Sequence, residues 1–185
     1  MRRAVLDSAA ALFANKGVGA VSLREIAADA DVQVALISRY IGTRQDLIDA
    51  VMADLADQVA QQVVDRPLEQ QSFDPDSPLG RWTRLLAYFT LTGRDLSSVA
   101  ERNPVRALAQ VAHDAYGLDE QAARVRGAQI VASALGWRLL EPYLVAAGGL
   151  EDLPVHSLHD ALTELHRRIG AMPWDDLPQA PQTSG

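Results

Sequence analysis

Residues 29–47, "DADVQVALISRYIGTRQDL", predict a short helix joined to the start of a longer one. The middle of this stretch is nearly free of charge, whereas arginines follow at once in "SRY" and "TR". Gly42 and Thr43 predict the end of a short helix and the cap of a longer one, because glycine often ends helices and threonine often begins them. A core helix, a dimer seam and a DNA-reading helix would each explain this mixture differently.

The residues before this stretch predict two more helices. Apolar side chains recur at helical spacing over residues 2–16, and Gly17 follows as a stop. Ser22 with Glu25 three residues later forms a capping box, which starts a second helix. The third helix runs through Ile37 to Tyr40. About three residues join the second helix to the third, which is the spacing of a helix-turn-helix.

A helix-turn-helix needs a small core beneath it and an exposed face on its second helix. The side chains expected in the core are Ile26, Ala27, Ala30, Val32 and Ile37. The side chains expected to face outward at the start of the third helix are Gln33, Val34, Ala35, Ser38 and Arg39.

The rest of the chain also predicts helices. Leu and Ala, both strong helix formers, dominate its apolar residues, and no strand-like alternation or internal repeat occurs. The fold class is therefore all-α, with about nine helices. After the first three, the helices are predicted to run from Thr43 to about Val64 and over 79–92, 95–102, 104–116, 119–146 and 155–170. The predicted domains are a helix-turn-helix domain over 1–42, an effector-binding and dimerisation domain over 43–172, and a flexible tail over 173–185.

Charge is unevenly distributed along the 185 residues. The whole chain carries a net charge of −7, yet residues 1–50 hold six basic and six acidic groups. The N-terminal quarter is thus the only part that is not repelled from nucleic acid on balance. The sequence has no cysteine, no N-terminal signal pattern and no uncharged run approaching 18 residues. We expect a cytoplasmic protein that does not span a membrane.

The first quarter resembles the DNA-binding domain of TetR-type one-component transcriptional regulators. The resemblance lies in "ALFANKG" (11–17), "VSLREIA" (21–27) and "DVQVALISRYIGTRQDL" (31–47), which occur in the family's order and with its gaps. Such a resemblance implies a dimer that binds double-stranded operator DNA, usually a palindrome, and usually represses transcription. The remainder resembles the family only in length and helical character.

The resemblance implies roles for particular residues. Ser22 and Arg24 open the helix that touches phosphates, and Val34, Ala35, Leu36 and Ser38 lie where the family reads the major groove. The residues themselves add Gln33 and Arg39, which with Ser38 and Arg24 are candidates for polar contacts with bases. Tyr40 and Arg44 occupy phosphate-contact positions, Arg44 replaces the family's usual lysine, and Thr43 caps the fourth helix. The N-terminal amides of the fourth helix also favour a phosphate.

Three residues depart from the family pattern. Asp31 replaces the turn glycine and would need the left-handed conformation, where Asp is among the less costly residues. Ser38 replaces a common tyrosine, and Ile41 replaces phenylalanine. An apolar tip of Val34, Ala35 and Leu36 can pack on thymine methyl groups but cannot form bidentate hydrogen bonds with bases. We therefore expect a modest preference for T-rich half-sites.

The C-terminal part carries the predicted dimer surface and effector site. Ala128, Ala132 and Gly136 allow close helix approach within 121–144, and the helix over 155–169 presents Leu158, Leu162, Leu165 and Ile169. These two helices are the predicted homodimer surface, although such stripes also occur in intramolecular cores. A small hydrophobic or aromatic effector is expected to bind near the rare aromatic and histidine side chains, namely Trp82, Tyr88, Phe89, His113, Tyr116 and Trp137.

The sequence does not favour an enzyme. It lacks a phosphate loop and a nucleophile elbow, and no cofactor is predicted. His156 and His159 are neighbours on one helix, but His166 lies about 10 Å further along, so a polar dimer rim is preferred to a metal site. The alternatives are an all-helical interaction protein and a regulator that has lost its response to ligand.

Overall fold

The computed structural model describes residues 1–65, 73–94 and 104–172. These residues form eight α-helices and one 3-10 turn, and they include no strand. The all-α prediction is therefore confirmed. The helices are α1 Arg2–Lys16, α2 Leu23–Asp29, α3 Val34–Tyr40, α4 Arg44–Asp65, α5 Pro78–Leu91, α6 Pro104–Tyr116, α7 Glu120–Gly148 and α8 Val155–Ala171. The predicted helix over 95–102 and the predicted tail over 173–185 lie outside the described residues.

The first core is shared by α1 to α5. Helix α4 contributes one continuous apolar face to it, in the i, i+4 rhythm that the sequence predicts. The buried residues of that face are Leu47, Ile48, Val51, Met52, Leu55 and Val59. Trp82, Leu85 and Phe89 of α5 complete the same cluster. The N-terminal helices are thus packed directly against α4 and α5, without a gap at the predicted boundary between residues 42 and 43.

A second core lies between α4, α6 and α7. It contains Val63, Leu108, Ile130 and Val131. Helices α6 and α7 approach closely at Gly127, where an added β-carbon would lie 2.6 Å from the carbonyl oxygen of Val105 and 3.0 Å from the amide nitrogen of Ala109. Only glycine fits this contact without moving the backbone of α6.

Helix α7 is apolar but little buried. In the described part of the chain it is the one helix long and apolar enough to cross a membrane, judged by length and composition, although only 11% of its most apolar window is buried. Its exposed large side chains include Leu139 at 42%, Leu140 at 51% and Tyr143 at 68% of full exposure. The helix also carries Arg138 and Glu141. An apolar face of this length exposed in one chain is typical of an interaction surface.

The small residues of the predicted dimer stripe lie on this same exposed face. Ala128 and Ala132 are exposed, and an added β-carbon at Gly136 would meet nothing within 4 Å. On α8, Leu165 is 46% exposed, whereas Leu158 and Leu162 are buried at 9% and 7%. Leu158 and Leu162 therefore belong mainly to the chain's own packing, and the apolar surface open to a partner is formed chiefly by α7 and Leu165.

Candidate nucleic-acid interface and effector cavity

Helix α2 begins at the predicted capping box. The Ser22 amide donates to Glu25 Oε2 at 2.8 Å, and the Glu25 amide donates to Ser22 Oγ at 3.2 Å. The hydrogen bonds from Ser22 hold the pKa of the Glu25 carboxyl below its usual range. Lys16 at the end of α1 lies 3.4 Å from the same carboxylate. The cap thus fixes where α2 starts and ties it to α1.

The turn between α2 and α3 depends on a strained aspartate. Asp31 has φ 52°, and it is the one non-glycine residue with positive φ among those described. The left-handed conformation expected at this position is confirmed. The Val32 amide then donates to the Ala27 carbonyl at 2.9 Å, which closes the turn. The turn thus leads from α2 into α3, whose Ile37 lies in the core.

Helix α3 is anchored by one side chain and otherwise turned outward. Ile37 is fully buried, and Ile26 and Ala27 of α2 are buried with it. Gln33, Ala35, Ser38 and Arg39 are exposed, and Tyr40 is 58% exposed. The guanidinium carbon of Arg39 lies 5.5 Å from the centroid of the Tyr40 ring. Small and polar side chains therefore form the outer face of α3.

The apolar tip is smaller than the sequence suggests. Val34 is half-buried and packs against the first core, and Leu36 is also half-buried. Helical geometry explains this, because Val34 lies one turn before the buried Ile37 and shares its side of the helix. Of the three apolar residues of the tip, Val34, Ala35 and Leu36, only Ala35 is exposed.

The end of α3 and the start of α4 are joined by interlocking caps. Asp46 accepts hydrogen bonds from the Thr43 amide and hydroxyl, both at 2.7 Å, and its own amide donates to Thr43 Oγ1 at 3.2 Å. Gly42 has φ 114°, and an added β-carbon there would lie 2.5 Å from Asp46 Oδ2. Glycine is required at this position because φ is positive and because a β-carbon would clash with the Asp46 carboxylate. The predicted Thr43 cap is thus present.

Arg44 is turned inward rather than toward solvent. Its Nη2 donates to the carbonyl oxygen of Val18, and its guanidinium carbon lies 5.7 Å from the centroid of the Phe13 ring. The side chain therefore ties the start of α4 to the segment between α1 and α2. The phosphate contact that the family pattern implies for Arg44 stays a prediction.

The arginines of the outer face are not neutralised by carboxylates. In the described ranges neither Arg24 nor Arg39 forms an ion pair, and both are exposed. Several carboxylates of the same domain are engaged elsewhere. Glu25 and Asp46 form caps, Asp29 accepts from Ser8 Oγ at 2.6 Å, and Asp49 pairs with Arg94. A region with zero net charge therefore presents exposed cations beside α3.

The second candidate site is a narrow apolar cavity between α4, α5, α6, α7 and α8. Its volume is about 50 Å³. The walls are mostly aliphatic, with Trp82 on α5 and Phe73 just before it, and the polar side chains are Arg138, Thr163 and His166. Its lining resembles that of small-molecule sites, which are mostly apolar with a few polar groups, but the cavity is smaller than such sites usually are.

Only one of the six side chains predicted for the effector pocket, Trp82, lines this cavity. Tyr88 points to the DNA-binding region, where its hydroxyl oxygen would lie 3.6 Å from a β-carbon at Gly19. Phe89 is buried in the first core. His113 contacts the Leu118 carbonyl at 2.6 Å, and Tyr116 packs against Gly170. Trp137 donates to Glu141 at 2.6 Å and lines the groove between α7 and α8.

The three histidines of α8 occupy different environments. His156 is exposed. His159 Nε2 lies 2.7 Å from Glu141 Oε2, and its ring stacks on Phe73 at 3.8 Å. His166 is only 6% exposed and faces the cavity, so it cannot belong to the predicted polar rim. The described residues contain no group of three or more metal-ligating side chains. His166 is a polar residue of the cavity that was not predicted from the sequence.

The buried His166 should make the fold sensitive to acid. Burial and the Arg138 charge lower its pKa from 6.5 to about 4, so between these values the unfolded chain binds more protons than the folded one. Stability should therefore fall as pH falls from 6.5 to 4. In the His166→Phe protein, the free energy of unfolding should change less steeply with pH, by up to about 1.4 kcal/mol per pH unit. Urea unfolding across that range measures it, and equal slopes in both proteins would contradict it.

Comparison with known proteins identifies the family. Residues 5–51 match the sequence family described as "Bacterial regulatory proteins, tetR family". The chain is 31% identical over 167 residues to the HTH-type transcriptional repressor Rv3405c of Mycobacterium tuberculosis, covering 90% of this chain and 87% of that protein. The chain belongs to the TetR family of bacterial transcriptional regulators. The HTH-type transcriptional regulator Mb3439c of Mycobacterium bovis matches this TetR-family chain with the same identity and coverage.

A solved structure shares the fold of this TetR-family regulator. It is a transcriptional regulator from Rhodococcus sp. Rha1, with a TM-score of 0.61 and 17% identity, and the match covers 91% of this chain and 95% of that one. The match shows the whole helical architecture, including the C-terminal helices that the sequence resemblance did not cover. The resemblance inferred from residues 11–47 is confirmed.

Proposed function

We propose that this TetR-family regulator is a ligand-responsive, cytoplasmic repressor that binds a palindromic operator as a homodimer. The observation that carries the proposal is the outer face of α3. Ile37 anchors the helix, while Ala35, Ser38 and Arg39 remain exposed. A narrow helix face with small side chains can enter the major groove, and the adjacent arginines suit the phosphates on either side.

Base reading by this face would be limited. Ala35 can contact a thymine methyl group, whereas Gln33, Ser38 and Arg39 can form hydrogen bonds with base edges. Val34 and Leu36 would contribute less than the sequence suggested, because both are half-buried. Phosphate contacts by Arg24, Tyr40 and the α4 N-terminus would then supply much of the affinity. We expect modest specificity for T-rich half-sites.

The exposed face of α7 supports the homodimer. The exposed residues along this face are Ala128, Ala132, Leu139 and Tyr143. No charged residue lies on the same side of the helix between Ala128 and Tyr143. Two copies packed through these helices would form an isologous interface. Such a dimer would place its two α3 helices about 34–36 Å apart, so that each enters a successive major groove.

Ligand response would pass through α4. The helix begins next to α3 at Arg44, and its residues Val59 and Val63 line the cavity about 22–29 Å further along. A ligand that pushes on this wall would tilt α4 and change the spacing of the two α3 helices. The expected coupling is about 1–3 kcal/mol, which is roughly 5- to 150-fold in operator affinity.

Two alternatives make different predictions. An all-helical interaction protein would show no salt-dependent affinity for DNA, and a regulator without ligand response would bind its operator with the same affinity whatever occupies the cavity. The exposed arginines beside α3 favour DNA binding over the first alternative. The relatives are transcriptional regulators, which favours regulation over catalysis.

A salt titration tests DNA binding. Labelled duplex from the gene's own upstream region is titrated with the protein at several salt concentrations. The logarithm of the association constant should fall steeply with the logarithm of salt. Arg39→Gln or Arg24→Gln should each reduce that slope by about 1, which is the value for one neutralised phosphate. Arg106→Gln, at an exposed position of α6, is the control. No affinity for that DNA or for selected duplexes would overturn the proposal.

A further inference from the structure

The turn between α1 and α2 leads directly into the start of α2, where phosphate contacts are proposed. It is the 3-10 turn Val18–Ala20, and Val21 and the Ser22 cap follow it. Val18 and Val21 are buried in the first core, whereas Gly19 is exposed. The inner side of the turn is thus packed, and its outer side is open to contacts from other helices.

Helix α5 contacts this region from outside the N-terminal helices. Arg84 and Tyr88 lie four residues apart and therefore share one face of α5. Arg84 Nη1 donates to Asn15 Oδ1, in the last turn of α1, at 3.0 Å. One helical turn further along α5, the Tyr88 hydroxyl oxygen would lie 3.6 Å from a β-carbon at Gly19. This face of α5 therefore meets the end of α1 and the turn that follows it.

Both side chains are held by partners of their own. Arg84 Nη2 donates to the Pro75 carbonyl at 2.6 Å and to Asp76 Oδ1 at 3.3 Å, in the turn before α5. The Tyr88 ring meets the buried Phe89 ring edge to face, with 5.4 Å between the centroids. Since these partners belong to α5 and the turn before it, the positions of Arg84 and Tyr88 are set outside the DNA-binding helices.

Helix α4 contacts the same turn. Its Arg44 donates to the carbonyl of Val18, next to Gly19. The turn is thus contacted by the two helices that follow the helix-turn-helix. Hydrogen bonds are lost beyond about 3.5 Å, so a displacement of about 1 Å at the turn is enough to remove a phosphate contact at the start of α2.

We propose that Arg84 and Tyr88 are positioning residues for operator binding. From α5 they hold the end of α1 and the α1–α2 turn, and thereby set where Arg24 meets the DNA backbone, without touching DNA themselves. This inference rests on the proposed function, in which Arg24 contacts a phosphate. It adds two residues that lie outside the family match over 5–51.

A double-mutant cycle tests Tyr88. The full-length Tyr88→Ala, Arg24→Gln and doubly substituted proteins are titrated, at several salt concentrations, with a labelled operator duplex from the gene's upstream region or from a random pool. Tyr88→Ala should weaken binding about 3-fold or more, because Arg24 loses its phosphate, and Arg24→Gln should then have little further effect. The slope of log affinity against log salt should fall by up to about 1 in each single variant and no further in the double one.

Arg39→Gln shows whether this coupling is confined to α2. Arg39 lies on α3, which Ile37 anchors separately, so its substitution should weaken binding by the same factor with or without Tyr88→Ala. Equal coupling of Tyr88 to Arg24 and to Arg39 would overturn the inference, since a change of the whole domain would then explain it. Thermal unfolding shows that each protein is folded in the assay.

Two further variants separate the contact from the truncation. Asn15→Ala removes the acceptor of Arg84 at an exposed position of α1, and it should show the same coupling with Arg24→Gln. Leu91→Ala shortens a side chain of α5 that is 87% exposed, and it should change neither operator affinity nor the effect of Arg24→Gln. If Tyr88→Ala does not fold, the Asn15→Ala cycle decides.

The outcomes separate this inference from the proposed function. Additive effects of Tyr88→Ala and Arg24→Gln in folded protein would overturn the positioning role while DNA binding stands. Undiminished operator affinity of the Arg24→Gln protein would do the same. No affinity of the unaltered protein for the upstream duplex or for any selected duplex would overturn both.

Discussion

Ala35→Glu should abolish specific operator binding while leaving the fold intact. Ala35 is exposed on the outer face of α3, so the longer side chain has room. Alanine and glutamate are both good helix formers, and the change in helix stability is small. A carboxylate at this point would be placed among base acceptors and phosphates, and such like-charge contacts cost several kcal/mol. Operator affinity, measured by fluorescence anisotropy, should fall more than about 100-fold.

Ala53→Glu is the matched control. Ala53 is also an exposed helical alanine, but it lies on α4, more than two turns beyond the start of that helix. The same charge added there should change operator affinity by only a few-fold, through the net charge alone. Thermal unfolding should give similar midpoints for all three proteins. Retained operator affinity in folded Ala35→Glu protein would show that α3 does not enter the groove.

Ala132→Arg should convert the dimer to a monomer and thereby weaken operator binding. Ala132 is exposed in the middle of the apolar face of α7, between Ala128 and Gly136. Small residues there permit close approach of two helices, and an arginine would force them apart and bury a charge without a partner. A monomer can no longer use the second half-site, which is typically worth about 10²- to 10⁴-fold in affinity. Sedimentation analysis and operator titration measure the two effects.

Ala115→Arg provides the comparison for this change. Ala115 is exposed on α6, outside the apolar face of α7. Its replacement should leave the sedimentation coefficient and the operator affinity nearly unchanged. If Ala132→Arg protein remains a dimer with normal operator affinity, the α7 face is not the interface.

The helix-turn-helix could be predicted because its determinants are local. The Ser22–Glu25 capping box, the Thr43 cap and the spacing of Ile26, Ala27 and Ile37 are each readable over a few residues. The positive φ of Asp31 could also be predicted, because this residue stands where the family pattern has the turn glycine. The same holds for the apolar rhythm of α4.

The cavity could not be predicted because it depends on tertiary packing. Its lining residues come from five helices and from Phe73, and most are aliphatic residues that look like ordinary core. The small number of aromatic side chains did not identify the cavity, since Phe89 fills the first core and Tyr116 packs on Gly170. His166 could have been noticed, since it lies one helical turn from Leu162 on the buried side of α8.

The direction in which long side chains point could not be predicted from the sequence either. Arg44 occupies a phosphate-contact position of the family, yet the Val18 carbonyl and the Phe13 ring draw it inward. Arg39 stays exposed at the surface, beside the Tyr40 ring. Position in a motif therefore identifies a candidate residue, while the surrounding structure decides whether its charge is available.

Operator binding by a dimer can be measured by selecting duplexes from a random pool with the full-length protein. We expect enrichment of two inverted half-sites whose centres are one helical turn, about 10–10.5 base pairs, or a multiple of it apart. The half-sites should be T-rich, and the complex should contain two chains per duplex. Enrichment of no sequence, or of a single unpaired half-site bound by one chain, would show that the protein does not bind a palindromic operator as a dimer.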